Sequence, residues 1–185
     1  MKKYYNPVFY QNSKDFLAAN STALKSLFNK KIQSYYVLWD IEDDVRWVTH
    51  PIILVIDNVQ YEFLFDNFSD FSMTINQINK EKCNWYEEDE IELVWKTNCY
   101  PDLDKVLNKP IQEINLIEMV LLKMVAKNDQ GEFVETGMDS RLSLAGIEFK
   151  FENRQSLTIY NSLNENSITL ENIEKDYSQV RRVKV

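Results

Sequence analysis

The residues of this chain with the clearest chemical potential are one histidine, two cysteines and two runs of carboxylates. His50 stands just before Pro51, at a loop-to-strand junction. A single histidine cannot build the usual multi-histidine metal site, and a general base needs a reachable substrate proton and an orienting partner. Cys83 and Cys99 have fifteen residues between them and form no CxxC pair. A Cys99–His50 dyad would have to meet in space. The local run Thr97-Asn98-Cys99-Tyr100-Pro101 is unlike a nucleophile turn, so a structural or surface histidine is the favoured reading. No Ser-x-x-Lys, GxSxG or HExxH pattern occurs.

The carboxylates fall in two clusters, Asp40, Glu42, Asp43 and Asp44 in one and Glu87, Glu88, Asp89, Glu90 and Glu92 in the other. Glycoside hydrolysis needs two carboxyls held across a cleft, and a calcium loop needs alternating oxygen ligands around a central glycine. Neither cluster carries that glycine, and acids on polar turns usually form a solvated face. No catalytic residue, metal ligand or cofactor site is therefore expected. Each cluster does adjoin aromatic side chains: Trp39 and Trp47 flank the first, Trp85 and Tyr86 the second. Aromatic anchors inside a charged rim are what protein interfaces use, while tryptophan on a strand is more usually core. The candidate binding residues are Asp43, Asp44, Trp47, Trp85, Tyr86, Glu87, Glu88 and Glu90.

The totals narrow the partner. With 21 basic and 29 acidic residues the net charge is −8, which disfavours nucleic acid and anionic membrane surfaces. It suits a basic protein partner or simple solubility. Three glycines stand where average usage of about 7% would give roughly thirteen. Phosphate cradles of the GxGxxG and GxxxxGK[ST] kinds need glycines in clusters, so the common nucleotide enzymes are excluded. Residues 4–16 are too polar for a secretory core. The apolar stretches Pro51–Ile56 and Ile114–Ala126 are too short or too interrupted to span a bilayer. A cytosolic protein with reduced thiols is expected.

The elements that must position these residues carry an internal recurrence. Leu24, Asn29, Lys30, Ile32 and Gln33 recur as Leu103, Asn108, Lys109, Ile111 and Gln112. Each copy opens into a strand-like run and is later followed by a hairpin signal. Ile52–Ile56 turns at Asp57-Asn58 into Val59, Tyr61, Phe63 and Phe65; Ile147, Phe149 and Phe151 turn at Asn153-Arg154-Gln155 into Leu157 and Ile159. The candidate repeats are residues 22–80 and 101–170, the second with about sixteen more residues, assigned to a polar loop over 128–141. Before the first repeat, Ser13 opens a short helix to Ala18, and Asn20, Ser21 or Thr22 caps a second. Residues 111–126 fit either helical or strand periodicity, and strand-like composition in the first copy decides for a long strand. The expected fold is α+β, mostly antiparallel β with short helices, in a single domain over residues 1–185 with a helix–strand–hairpin unit in each half.

The stretch from Gly146 through Glu148-Phe149-Lys150-Phe151, Asn153-Arg154-Gln155 and Leu157-Thr158-Ile159-Tyr160-Asn161 to Ile168 resembles the C-terminal part of small acidic bacterial proteins, some regarded as immunity partners of polymorphic toxins. That resemblance implies a binding role and carries no catalytic residues. The leading expectation is a non-enzymatic cytosolic protein-binding protein with an acidic face. The alternative is a small-molecule binder with an apolar pocket lined by phenylalanine and tyrosine.

Overall fold

The computed structural model describes residues 5–66, 70–81, 92–120, 123–127, 130, 133–138, 142–162, 165–175 and 179–185. Its first element is helix α1 (Ser13–Lys25), capped by Asn12, whose side-chain oxygen accepts the Asp15 N–H at 2.9 Å. One continuous helix replaces the two short ones expected. Asn20 is not a cap: its amide donates to the Phe16 carbonyl one turn back, at 3.0 Å, and remains within the helix. Phe16 and Leu24 bury the inward face.

Strands β1 (Ile32–Asp40), β2 (Val45–Arg46), β3 (Ile52–Ile56), β4 (Val59–Asp66), β5 (Asp70–Ile75) and β6 (Leu93–Lys96) follow. They form an antiparallel sheet in the order β2-β1-β3-β4-β5, with β6 also pairing β1. The one-turn helix α2 (Pro101–Asp104) has proline at its start, where the missing N–H costs nothing. It leads into β7 (Ile111–Met119), β8 (Lys123–Lys127), β9 (Phe133–Met138), β10 (Ser143–Phe151), β11 (Ser156–Asn161), β12 (Asn166–Thr169) and β13 (Val180–Lys184). These make a second antiparallel sheet, β12-β11-β10-β7-β13, and a separate β8–β9 ribbon. Two expectations change here. Residues 111–126 are not one long strand but β7 and the start of β8, and the segment taken for a polar loop over 128–141 contains β9, paired with β8 from Lys123↔Met138 to Lys127↔Phe133.

The two sheets repeat the same pairing pattern. Tyr35 of β1 faces Leu54 of β3 as Ile114 of β7 faces Phe149 of β10, and Ile52 faces Phe63 as Ile147 faces Ile159. The turns also correspond. Asn29 and Asn108 each close the turn that follows a helix, in the left-handed region at φ 63° and 61°, which asparagine tolerates better than branched residues do. Their amides then cross: Asn29 N–H donates to the Ile111 carbonyl and Asn108 N–H to the Ile32 carbonyl, each at 2.8 Å. At Asp57-Asn58 both turn residues have positive φ, 53° and 62°, the geometry that matches a two-residue turn to strand twist.

One core joins the halves. Phe63 meets Phe149 edge-to-face at 5.8 Å, Phe16 lies 5.0 Å from Phe71, and Phe65 stacks on Phe71 at 4.6 Å. Leu24, Leu103, Ile32 and Ile111 belong to the same buried cluster. The unbroken apolar run Ile52–Ile56 reads as a strand buried on both faces: Ile52, Leu54 and Ile56 point into this core, while Ile53 joins Tyr5, Leu64 and Ile78 on the outer face. Among the described residues no helix is long and apolar enough to cross a membrane.

Gly146 sits where β7, β10 and β11 crowd together. A methyl group there would stand 2.8 Å from the Ile159 carbonyl oxygen and 3.0 Å from Tyr160 Cβ. Because backbone must move to admit it, Gly146→Ala is expected to destabilise the fold by roughly 1–3 kcal/mol. The check is urea denaturation, with the midpoint lowered and the slope unchanged.

Candidate functional site

The first acidic cluster forms a built turn between β1 and β2. Asp40, buried at the end of β1, accepts N–H bonds from Glu42 at 2.9 Å and Asp43 at 3.2 Å, so its side chain replaces the backbone partners these amides would otherwise lack. Asp44 takes φ 50° and closes the turn. Its carboxylate accepts the Trp39 indole N–H at 2.9 Å and lies 3.4 Å from Lys96 Nζ, and Lys96 itself rests 4.2 Å over the Trp39 ring. The indole N–H, then Lys96, holds the Asp44 carboxyl below the usual carboxylate range. The outcome is a fixed loop with Glu42, Asp43 and Asp44 exposed and two aliphatic side chains beside them, Ile41 at 46% exposure and Val45 at 49%. Exposed single aliphatics are ordinary; here two of them flank the three exposed carboxylates in sequence.

At the base of this hairpin Arg46 lies opposite Trp39 in the β1–β2 register. Its guanidinium carbon is 5.1 Å from the centre of the Tyr100 ring, and burial pulls its pKa below the ordinary value. Tyr100 is held in turn by Tyr35. The Tyr35 hydroxyl accepts the N–H groups of Cys99 at 2.8 Å and Tyr100 at 2.7 Å and donates to Asp104 Oδ1 at 2.8 Å. Burial raises the Tyr35 phenol well above its usual range, against the lowering pull of the Tyr100 backbone and with the help of Asp104. Behind Arg46, Val48 accepts the Asn166 N–H at 2.8 Å, while the Asn166 side-chain oxygen takes the Phe65 N–H at 2.7 Å. The hairpin is thus tied to both sheets.

The other expected site residues divide. Asp43 and Asp44 come together on the turn. Trp47 is half-buried, its backbone N–H bonded to the Leu38 carbonyl and its ring 6.3 Å from that of His50. Trp85, Tyr86, Glu87, Glu88 and Glu90 lie outside the described residues, as does Cys83. His50 is 2% exposed beside the Thr49 hydroxyl, and burial lowers its pKa to about 4, which keeps it neutral near pH 7. Burial raises the Cys99 thiol, the opposite of what a thiolate nucleophile needs. Among the described residues no three His, Cys, Asp or Glu side chains gather as a metal site would require.

Two polar features had no sequence signal. Glu62, 0% exposed on β4, accepts from the Gln60 amide, the Thr74 hydroxyl and the backbone N–H groups of Gln77 and Ile78. It fastens the chain after β5 to the outer face of the first sheet, with hydrogen bonds in place of a cation. On the second sheet a cleft of about 330 Å³ is lined by Glu148, Lys150, Ser156, Asn172, Glu174 and Arg182. Its charges are mutually satisfied: Arg182 bonds Glu148 at 3.1 Å and also Glu174, while Glu113 takes Lys150 at 2.7 Å and Lys184 at 3.0 Å. Hydrogen bonds from Lys150, Asn115 and Lys184 hold Glu113 at about 2. The network anchors β13, and its cations are already taken.

Because His50 titrates near 6.5 when unfolded and near 4 when folded, the unfolded chain binds the extra proton between those values. The stability contributed by neutral His50 is complete above about pH 6.5 and is lost as pH falls toward 4. His50→Gln should remove that part of the slope. The wild-type advantage over the variant should shrink by up to about 3 kcal/mol across this window, measured by urea unfolding at each pH.

No family model, curated protein or solved structure matches this chain.

Proposed function

We propose that this chain is a non-enzymatic protein-binding module of the bacterial cytosol that uses its β1–β2 hairpin to dock on a basic protein, in the manner of an immunity or regulatory partner. The observation that carries this reading is the ordered turn itself: Ile41 and Val45 stand exposed among Glu42, Asp43 and Asp44 on a loop whose amides and indole are already satisfied. A turn fixed before association loses little conformational entropy on binding. Its aliphatic centre supplies desolvation energy, and its carboxylates, within a net charge of −8, steer a positively charged partner. The packing of Phe63, Phe65, Phe71 and Phe149 against one another supports this reading over an aromatic-lined pocket.

We also read the two halves as copies of one helix–strand–hairpin unit. The support is the matching strand register and the paired left-handed asparagines, Asn29 and Asn108. In that reading β2 and the β8–β9 ribbon are what each half adds between its first and second long strands.

The docking reading is tested by side-by-side affinity capture with the wild-type chain, Asp43→Lys and Ile41→Ser. A stoichiometric basic protein is expected, with association several-fold slower for Asp43→Lys and affinity about 10-fold weaker for Ile41→Ser. Capture should also weaken as salt rises. A companion retained equally by all three proteins would place the contact elsewhere.

A further inference from the structure

The described arginines are not equivalent. Arg181 donates to Glu118, and Arg182 to Glu148 and Glu174, so each has its carboxylate within the fold. Arg46 is half-buried and laid on the Tyr100 ring, yet among the described residues no carboxylate or carbonyl accepts from its guanidinium. Glu165, an exposed residue, reaches it through its field alone, from beyond ion-pair distance. A guanidinium presents five donors in a planar fork. Removing it partly from water without an acceptor is costly unless some other group completes it. The Tyr100 ring gives it a stacking surface, and Trp39 is its partner in the strand register.

We infer that Arg46 is the receiving group for a carboxylate brought by a docking protein, seated at the base of the acidic turn. Bidentate pairing matches the fork to a planar carboxylate, and Arg, Tyr and Trp are the residue types that dominate the centres of protein interfaces. The neighbouring Glu42, Asp43 and Asp44 repel a polyanion such as nucleic acid while leaving room for one acidic side chain inside an otherwise basic partner surface. The inference rests on the docking reading for its partner; the carboxylate site itself is a property of this chain and is tested separately.

The probe is sodium acetate, titrated against sodium chloride at constant ionic strength while the arginine Nε–H signals are followed by NMR. The Arg46 signal should shift saturably with acetate and not with chloride. Arg182, whose carboxylates are already in place, should stay still, and Arg46→Lys, which keeps the charge but loses the fork, should abolish acetate-specific protection of the folded protein. Equal response to chloride, a parallel shift of Arg182, or a larger shift with inorganic phosphate than with acetate would overturn the carboxylate assignment. So would a response that emerges only in Glu165→Gln, because Arg46 would then be paired within the fold in solution. If acetate binds but Asp43→Lys and Ile41→Ser leave partner capture unchanged, the docking reading fails and the site stands. If capture is lost in those variants but Arg46 ignores acetate, the site fails and docking stands.

Discussion

The architecture depends on a crossed pair of backbone hydrogen bonds. Asn29 and Asn108 each close the turn after a helix in the left-handed region, and their amides cross between the sheets, Asn29 to Ile111 at the start of β7 and Asn108 to Ile32 at the start of β1. The Ile111 N–H returns to the Lys30 carbonyl at 2.8 Å, and Lys31 bridges Pro110. These contacts fix where β1 and β7 begin relative to each other. Once they are set, Ile32 and Ile111 are both fully buried, the two sheets face one another, and Phe63 can reach Phe149. A small number of backbone bonds would be weak evidence of stability alone. Here they set the register on which a large apolar interface closes, and register in a strand decides which face every side chain takes.

The hairpin that carries the proposed contact depends on the same frame at second hand. Tyr35, on β1, collects two amides of the Cys99–Tyr100 segment and thereby sets the ring on which Arg46 lies. Asn166 ties Val48 and Phe65 together, so the far end of the hairpin is held by the second sheet. The hairpin is therefore held in part by contacts lying well away from the acidic turn. In the proposed docking, an ordered surface gives up less entropy on association.

Much of the fold was legible because it is written in short-range pattern. Asn29-Lys30 and Asn108-Lys109, singled out in the sequence, lie at the two turns that carry the crossed bonds. Alternation around Asp57-Asn58 placed β3 and β4, and the first acidic cluster was recognised as a turn beside Trp39. The failures have particular causes. Asn20, Ser21 and Thr22 are good cap residues, yet Asn20 satisfies itself against Phe16 inside one longer helix. The β8–β9 ribbon was lost because Lys, Asn, Asp and Glu residues around it outweighed the short apolar runs. Glu62 and Arg46 gave no sign at all. A buried glutamate held by residues up to sixteen positions away, and an arginine placed on a tyrosine fifty-four residues later, depend on tertiary contacts that no local window contains.

The crossed asparagine bonds should make the two sheets one cooperative unit, and native-state hydrogen exchange at Asn29, Asn108 and Ile111 reads this out. These amides should exchange only through global unfolding, with the same free energy as Leu54 in β3 and Phe149 in β10. If the three exchange through a much smaller opening while both sheets remain protected, or if one sheet opens without the other, the sheets are separately stable and the crossed bonds do not couple them.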